Sequence, residues 1–246
     1  MKIGLILIGD ELLSGLRQDK HMATIIGFLK ARGLQLAWMR MIGDDWDLLV
    51  QTLRETLPSK DIVFSFGGIG ATPDDLTRQA AAAASGRQLL RHPQAVALIE
   101  SRFGEGAYPN RIRMSELPDG CTLIPNPVNQ IPGFKIANHH FVPGFPDMAW
   151  PMTEWALDTF YPQYFDTSPE VERRWLLREV QESELIPMME ELLQTFPDVR
   201  LSSLPSTATR RQIDFGLKGK AAAVQRAAKW FETWVFANHV NCERLP

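Results

Sequence analysis

The chain opens with a nearly continuous apolar run, Lys2–Ile8, of the length and character of a strand buried on both faces. Apolar residues then recur at helical spacing over Lys20–Arg32 (Ile25, Ile26, Leu29), and Gly33 closes the segment. Leu34–Ile42 reads as a second strand. Trp46–Leu57 reads as a helix with Leu48, Leu49 and Leu53 inward and Pro58 as its stop, and Asp61–Phe66 as a third buried strand. An Ala-rich helix is predicted over Pro73–Ala84, ended by Gly86. Strands separated by helices need crossover connections, which imply parallel pairing and right-handed βαβ units. The first half is therefore an α/β structure, doubly wound around a parallel sheet.

Residues 87–145 are less regular. A helix is predicted over Gln94–Phe103, a short one around Asn110–Leu117, and strand pieces at Cys121–Ile124, Phe134–Ala137 and His140–Val142, divided by closely spaced prolines. Asp147–Phe160 is amphipathic at helical spacing, with an interruption or kink expected near Pro151. The turn-rich Tyr161–Pro169 marks an expected boundary between a domain of residues 1–165 and a small α+β domain of residues 170–246. In the latter, strands at Arg173–Val180, Val199–Leu204 and Gln212–Lys218 and helices at Leu185–Phe196 and Ala221–Phe236 follow the order βαββα.

Composition narrows the class. The 246 residues are 45% apolar, with 26 basic against 29 acidic side chains and a net charge of −3. Neither predicted domain carries a basic excess, which argues against nucleic acid as a partner, since phosphate neutralisation needs a basic surface. No apolar stretch approaches the ~20 residues that span a bilayer, and the opening run is too short, and too soon followed by Asp10 and Glu11, for a signal peptide. Cys121 and Cys242 stand alone, without disulfide or metal spacing. The expectation is a soluble cytoplasmic protein with reduced thiols and no membrane partner.

The chemistry concentrates in Ser65-Phe66-Gly67-Gly68-Ile69-Gly70-Ala71-Thr72-Pro73-Asp74-Asp75-Leu76-Thr77. A buried strand runs into three glycines and then into a helix, an arrangement that leaves backbone N–H groups uncovered beside a positive helix end. It is neither a GxGxxG fingerprint nor a P-loop. Thr72 to Asp75 also read as a plain helix start, with Thr72 as cap, Pro73 at the first helical position and two acids in the first turn. Strand ends at Gly9-Asp10-Glu11 and Gly43-Asp44-Asp45 share the same sheet edge, so six carboxylates (Asp10, Glu11, Asp44, Asp45, Asp74, Asp75) are directed toward one crevice. Acids sharing a crevice repel and raise at least one pKa unless a cation stands between them, and a divalent metal would reconcile carboxylates with a phosphate cradle. Phe141-Val142-Pro143-Gly144-Phe145-Pro146 is a weaker echo, a Pro-Gly turn into a helix that offers Gly144 as a second anion contact. Adjacent His139 and His140 face opposite sides of a strand and cannot chelate together. Arg111 and Arg113 read as solvated, and Gly216-Leu217-Lys218-Gly219, between a strand and a helix, matches a GxxG clamp only formally.

In chain order, Gly9 to Gly15 (GDELLSG), Gly43-Asp44-Asp45, Gly67 to Thr77 (GGIGATPDDLT), Pro125-Asn126-Pro127 with Pro132-Gly133-Phe134, and Pro143 to Pro146 resemble the N-terminal region of the competence/damage-inducible protein A (CinA) family. That region belongs to the wider MoaB/MogA-like molybdopterin-binding fold. The resemblance spans residues 1 to about 165 and, through the βαββα tail, the KH-like small domain of CinA proteins. It implies a three-layer α/β/α domain, mostly parallel, whose glycine loop holds a phosphate or pterin phosphate. Asp44 and Asp75 match the aspartates that lie in the active pocket of molybdopterin-handling relatives. In CinA-type proteins the domain is associated with metal-dependent hydrolysis of ADP-ribose, and relatives imply a homo-oligomer. Two positions depart from the family pattern: Ala71 replaces a proline of GGLGPT or GGTGPT, and Asp19-Lys20-His21 stand where many members have Asn. The chain ends at Pro246, without room for the amidase domain of longer members, so deamidation of a nicotinamide nucleotide is expected to be absent.

The leading expectation is a metal-assisted pyrophosphohydrolase acting on ADP-ribose or a similar nucleotide diphosphate. Gly67, Gly68 and Gly70 would hold phosphate oxygens, and Thr72, Thr77 and Gly144 would add contacts. Asp44 and Asp75 would be catalytic and, with Asp74, would bind Mg, Mn or Co, while Asp10 and Glu11 line the rim. A molybdopterin-binding module without turnover and an interaction subunit that keeps only the fold are the alternatives.

Overall fold

A computed structural model of the chain describes residues 2–166, 168, 170–206 and 211–245, and it divides into two compact units, Met1–Phe165 and Asp166–Pro246. Thr167 and Pro169 of the predicted boundary segment lie outside the described residues.

In the first unit the elements follow as β1 (Ile3–Ile8), α1 (Asp10–Leu13), α2 (His21–Ala31), β2 (Trp38–Ile42), α3 (Trp46–Thr56), β3 (Ile62–Phe66), α4 (Thr77–Ser85), β4 (Leu89–Arg91), α5 (Pro93–Phe103), β5 (Glu116–Pro118), β6 (Thr122–Ile124), β7 (Gly133–Ile136), β8 (His139–Val142) and α6 (Pro146–Phe160). The main sheet has the order β2-β1-β3-β8-β7-β6, parallel from β2 to β8 and antiparallel beyond. Alternation along β1 sorts the layers. Ile3, Leu5 and Leu7 pack with Ile25 and Leu29 of α2 and with Met152 and Ala156 of α6. Ile6 and Ile8 pack on the other face with Leu49 and Leu53 of α3 and with Ala80 and Ala81 of α4. The result is the α/β/α sandwich expected from the buried strands, with β1 lying between β2 and β3 and buried throughout.

Four local expectations are corrected. The second strand starts at Trp38, not Leu34, because the Leu34 amide turns back to the Leu29 carbonyl and pairing with β1 begins at Gly4. The Ala-rich helix starts at Thr77, not Pro73, for reasons given below. Around Asn110–Leu117 the helix is only a 3-10 turn, Arg111–Ser115, which runs directly into β5, a strand the apolar pattern did not signal. Pro151 does not interrupt α6, which runs unbroken for 15 residues.

The second unit comprises β9 (Val171–Arg178), α7 (Glu182–Thr195), β10 (Val199–Pro205), β11 (Gln212–Gly219), α8 (Ala221–Ala237) and β12 (Asn241–Arg244). Its antiparallel sheet has the order β10-β11-β9-β12. One sheet face carries Trp175, Leu177, Ile213, Phe215 and Leu217 into a core with Leu185, Leu192, Val224 and Phe231 of the two helices. The ring of Phe231 stacks on Phe215 at 4.4 Å and lies 4.9 Å from Trp175. β12 extends the expected βαββα order. Its four residues, Asn-Cys-Glu-Arg, carry almost no apolar signal, and it exists through pairing with β9. Gly216–Gly219 are the last residues of β11, paired on both sides, so the formal GxxG match is a strand and not a loop.

Candidate functional site

Parallel pairing of β2, β1, β3 and β8 brings the segments after their C-terminal ends to one sheet edge, where an open α/β sheet accepts ligands. A cavity of about 430 Å³ opens there, and Gly67 to Thr72 form one of its walls. The Gly67 amide still bonds to the Val142 carbonyl, as an extension of the sheet. Beyond it, the amides of Gly68, Ile69, Gly70 and Ala71 have no acceptor among the described residues. Consecutive free N–H groups on a cavity wall are a ready anion cradle.

The glycines of this loop are required mainly by the protein itself. Gly67 and Gly68 adopt φ of 106° and 68°, and a Cβ on them would strike the Ile8 carbonyl oxygen and the Thr77 hydroxyl. At Gly70 a Cβ would meet the Asp75 carboxylate. Ligand approach is thus not needed to explain them; the uncovered amides carry the functional signal. Arg78 holds the loop from behind. The residue is 1% exposed, and its guanidinium donates to the carbonyls of Gly70 (2.8 Å), Arg113 (2.5 Å) and Glu116 (3.0 Å). Burial lowers its pKa, opposed by Glu116 and Asp75.

Thr72 to Asp75 are not the first turn of α4. The Thr72 amide (2.9 Å) and hydroxyl both donate to Asp75 Oδ2, and the Asp75 amide returns to the Thr72 carbonyl at 3.1 Å, closing a separate turn. The helix then starts at Thr77, whose hydroxyl donates to the Gly67 carbonyl at 3.0 Å and whose amide donates to Gly68. Thr77 is fully buried in this role and does not line the cavity.

The acids divide in function. Glu11, Asp44, Asp74 and Asp75 bound the cavity with the glycine loop, as do Thr72 and Gly144. Asp10 is a buttress: its Oδ1 accepts the Asp44 amide at 3.2 Å, and its own amide donates to Asp44 Oδ2 at 3.1 Å. Asp45 caps α3 through the Leu48 amide at 2.8 Å. The Asp44 carboxyl is raised above its ordinary pKa, first by burial and then by the charges of Asp10, Glu11 and Asp74, against the Asp10 amide bond. Among the described residues, no three His, Cys, Asp or Glu side chains converge as a metal-holding group. Asp44, Asp74 and Asp75 therefore do not form a preassembled ligand set, and one oxygen of Asp75 is already engaged by Thr72.

Other residues line this cavity to which the sequence assigned no role, among them Asn126, Arg17 and Met114. Asn126 is 4% exposed. Its Oδ1 accepts the amides of Val128 (3.0 Å) and Asn129 (3.4 Å), and its buried Nδ2 has no partner. Arg17 makes no ion pair among the described residues, and Met114 adds apolar surface. The only hint for Asn126 was a polar residue locked between Pro125 and Pro127 directly after a strand. Arg111 and Arg113 do not bound the cavity: Arg111 stacks on Phe103 at 4.7 Å and bonds the Gly106 carbonyl. His139 and His140 are fully buried. His140 lies between the Val63 carbonyl and the Tyr161 hydroxyl, at 3.1 Å from each.

Comparison with known proteins agrees with the fold of the first unit. Residues 4–162 match the model of a family described as probable molybdopterin binding domain. A CinA-like protein of Geobacter sp. (strain M21) is 36% identical over 153 residues, 59% of this chain and 37% of that protein, so the chain spans well under half the length of this relative. A protein of Thermoplasma acidophilum is 29% identical over 208 residues, covering 81% of this chain and 79% of its own. The crystal structure of a CinA of unknown function from the same organism superposes with a TM-score of 0.58 at 30% identity, covering 64% of this chain and 97% of that one. No helix among the described residues is long and apolar enough to cross a membrane.

Proposed function

The chain belongs to the family of probable molybdopterin binding domains, with CinA-like relatives, and from that premise we propose that the cavity beside Gly68 binds a phosphorylated ligand and hydrolyses the pyrophosphate of a nucleotide such as ADP-ribose with the aid of a divalent cation. The observation that carries this reading is the run of four uncovered amides, Gly68 to Ala71, on a wall shared with Asp44, Asp74 and Glu11. Donors on one side and acids on another suit a phosphate and a cation held together. The lack of a three-residue metal group fits an ion that takes one or two carboxylates from the protein and its remaining ligands from phosphate and water, as Mg²⁺ commonly does in nucleotide sites. Asp44 and Asp74 are the carboxylates placed to hold it. Such an ion, when bound, offsets phosphate charge and acidifies water.

The chain's own residues then divide the work. The amides of Gly68 to Ala71 and the free Nδ2 of Asn126 hold phosphate oxygens. Asp44, beside the cation, orients the attacking water by accepting a hydrogen bond from it. Asp75, tied to Thr72, positions the loop. Water adds across the pyrophosphate to release AMP and ribose 5-phosphate. A second reading, retention of a pterin phosphate without turnover, is favoured by the engagement of Asp75 and by the family's description.

Incubation of the pure protein with ADP-ribose and Mg²⁺, Mn²⁺ or Co²⁺ should release AMP, and Asp44→Asn should slow that release at least about a hundredfold. The variant keeps the acceptor for the Asp10 amide and should melt no lower than the parent. A raised carboxyl pKa means that the folded state holds its proton to higher pH than the unfolded chain, so stability falls as pH rises through that interval, and Asn removes the cost. For a half-exposed group the gain stays below about 1 kcal/mol. No AMP with any metal, together with tight binding of a pterin phosphate, would replace this reading by the second.

A further inference from the structure

The open volume at this sheet edge continues past the glycine loop. A second cavity of about 350 Å³ adjoins the first, sharing Ile8, Glu11, Arg17 and Gly144 with it. Its remaining wall includes Phe66 and His21, the first residue of α2.

His21 is unusual among the lining groups. It is 5% exposed, its ring lies 4.5 Å from that of Phe66 at 30°, and its Nε2 is 3.1 Å from the Gly144 carbonyl oxygen. A carbonyl only accepts, so Nε2 carries the proton, and in the neutral ring Nδ1 is left as a bare acceptor. That Nδ1 is buried and has no partner. The nearby Asp19 carboxylate does not serve it, because Asp19 is engaged with the backbone amides of His21 (2.7 Å) and Met22 (3.1 Å). Burial also pushes the imidazole pKa down, which keeps the ring neutral near pH 7. The two cavities thus differ in the unpaired groups of their walls. The first offers unpaired donors, the amides of Gly68 to Ala71 and the Nδ2 of Asn126. The second offers an unpaired acceptor.

We propose that the second cavity is a subsite for the non-phosphate part of the same ligand, and that His21 Nδ1 selects a hydrogen-bond donor there, a sugar hydroxyl or a ring N–H. This rests on the phosphate reading of the glycine loop. It specifies a ligand in which a donor-bearing group follows the anionic group, within reach across Arg17 and Gly144. A buried acceptor without a partner favours such a ligand over an analogue that lacks the donor.

Two probes separate the subsite from the phosphate cradle: methylenediphosphonate, and α,β-methylene ADP-ribose, which carries the same bridge with its sugars and base and resists hydrolysis. Calorimetric titration with Mg²⁺ should show both binding, the nucleotide more tightly. His21→Phe keeps a ring against Phe66 and removes both nitrogens. It should weaken the nucleotide about tenfold, the worth of one hydrogen bond, and leave the diphosphonate unchanged. In the unaltered protein the ¹⁵N resonance of His21 Nδ1 should shift with the nucleotide and stay put with the diphosphonate, a readout that decides the matter even where the variant does not fold. Equal loss for both probes, no loss for either, or an Nδ1 signal that ignores the nucleotide overturns the subsite while the phosphate cradle stands. Failure of both probes to bind the unaltered protein overturns the cradle, and the subsite with it.

Discussion

The two units treat buried polar atoms differently. In Asp166–Pro246 no buried side-chain nitrogen or oxygen lacks a partner among the described residues, and even the indole nitrogen of Trp175 reaches Glu232 Oε1 at 3.3 Å. In Met1–Phe165 several do, among them His21 Nδ1 and Asn126 Nδ2. An unpaired buried polar group costs roughly 1–3 kcal/mol, so a fold retains it where something else is gained. The unpaired atoms of His21 and Asn126 belong to residues that line cavities at one sheet edge, beside free backbone amides. Ser65, Arg78 (at Nε), Gln79, His92, His139 and Trp150 also carry unpaired atoms and line neither cavity, and nothing in the structure explains them. The contrast teaches that the antiparallel unit is committed to its own packing, whereas the α/β unit leaves hydrogen-bonding capacity unused, part of it at the sheet edge where the cavities open.

The contrast breaks most readily at Phe231. Its ring is fully buried between Phe215 and Trp175, and Phe231→Ala should cost the antiparallel unit about 3–5 kcal/mol, seen as a lowered transition by scanning calorimetry. Titration of the same variant with methylenediphosphonate should give unchanged affinity. Loss of binding there would show that the division of labour is wrong. Arg78→Met comes next. It removes donors from three carbonyls and should cost about 3 kcal/mol, and because Gly70 is one of the three, diphosphonate affinity should fall with stability. A variant that melts lower but binds normally would mean that the loop keeps its form without Arg78.

Much of this was legible beforehand, and the exceptions have physical causes. β1 and β3 were plain because strands buried on both faces are nearly continuous apolar runs. That in turn set the edge where Gly9, Gly43 and Gly67 follow their strands. Burial at that edge, and after it the acids converging there, raise the Asp44 pKa. Thr72-Pro73-Asp74-Asp75 misled because a carboxylate accepting amides makes a closed turn as well as a helix cap, and the choice was made by Asp75 bonding back to Thr72. β12 and β5 were illegible because short strands held by pairing need little apolar pattern of their own. Arg78 was hidden in an Ala-rich helix, since its role depends on carbonyls 35 and 38 residues away along the chain. Asn126 stood in a motif but showed no role there, because an unpaired atom is a property of its surroundings.

Asn126 is also where the contrast can be sharpened with the least disturbance. Asn126→Ala would remove both turn bonds to Val128 and Asn129 and confuse folding with binding. Asn126→Asp keeps an oxygen for those two amides and changes only the other end, from an unpaired NH₂ to an oxygen. The melting temperature should therefore move little, by less than about 1 kcal/mol in stability terms. Affinity for methylenediphosphonate should fall at least about tenfold at pH 7, because a lost donor and a new negative charge both oppose the anion. Lowering the pH toward the carboxyl pKa should recover part of the loss, since a protonated carboxyl can donate again. If Asn126→Asp binds the diphosphonate as tightly as the parent does, the free Nδ2 is an unpaired atom of the same unexplained kind as those of Ser65 and His139, and the ligand edge loses its distinction from the rest of the unit.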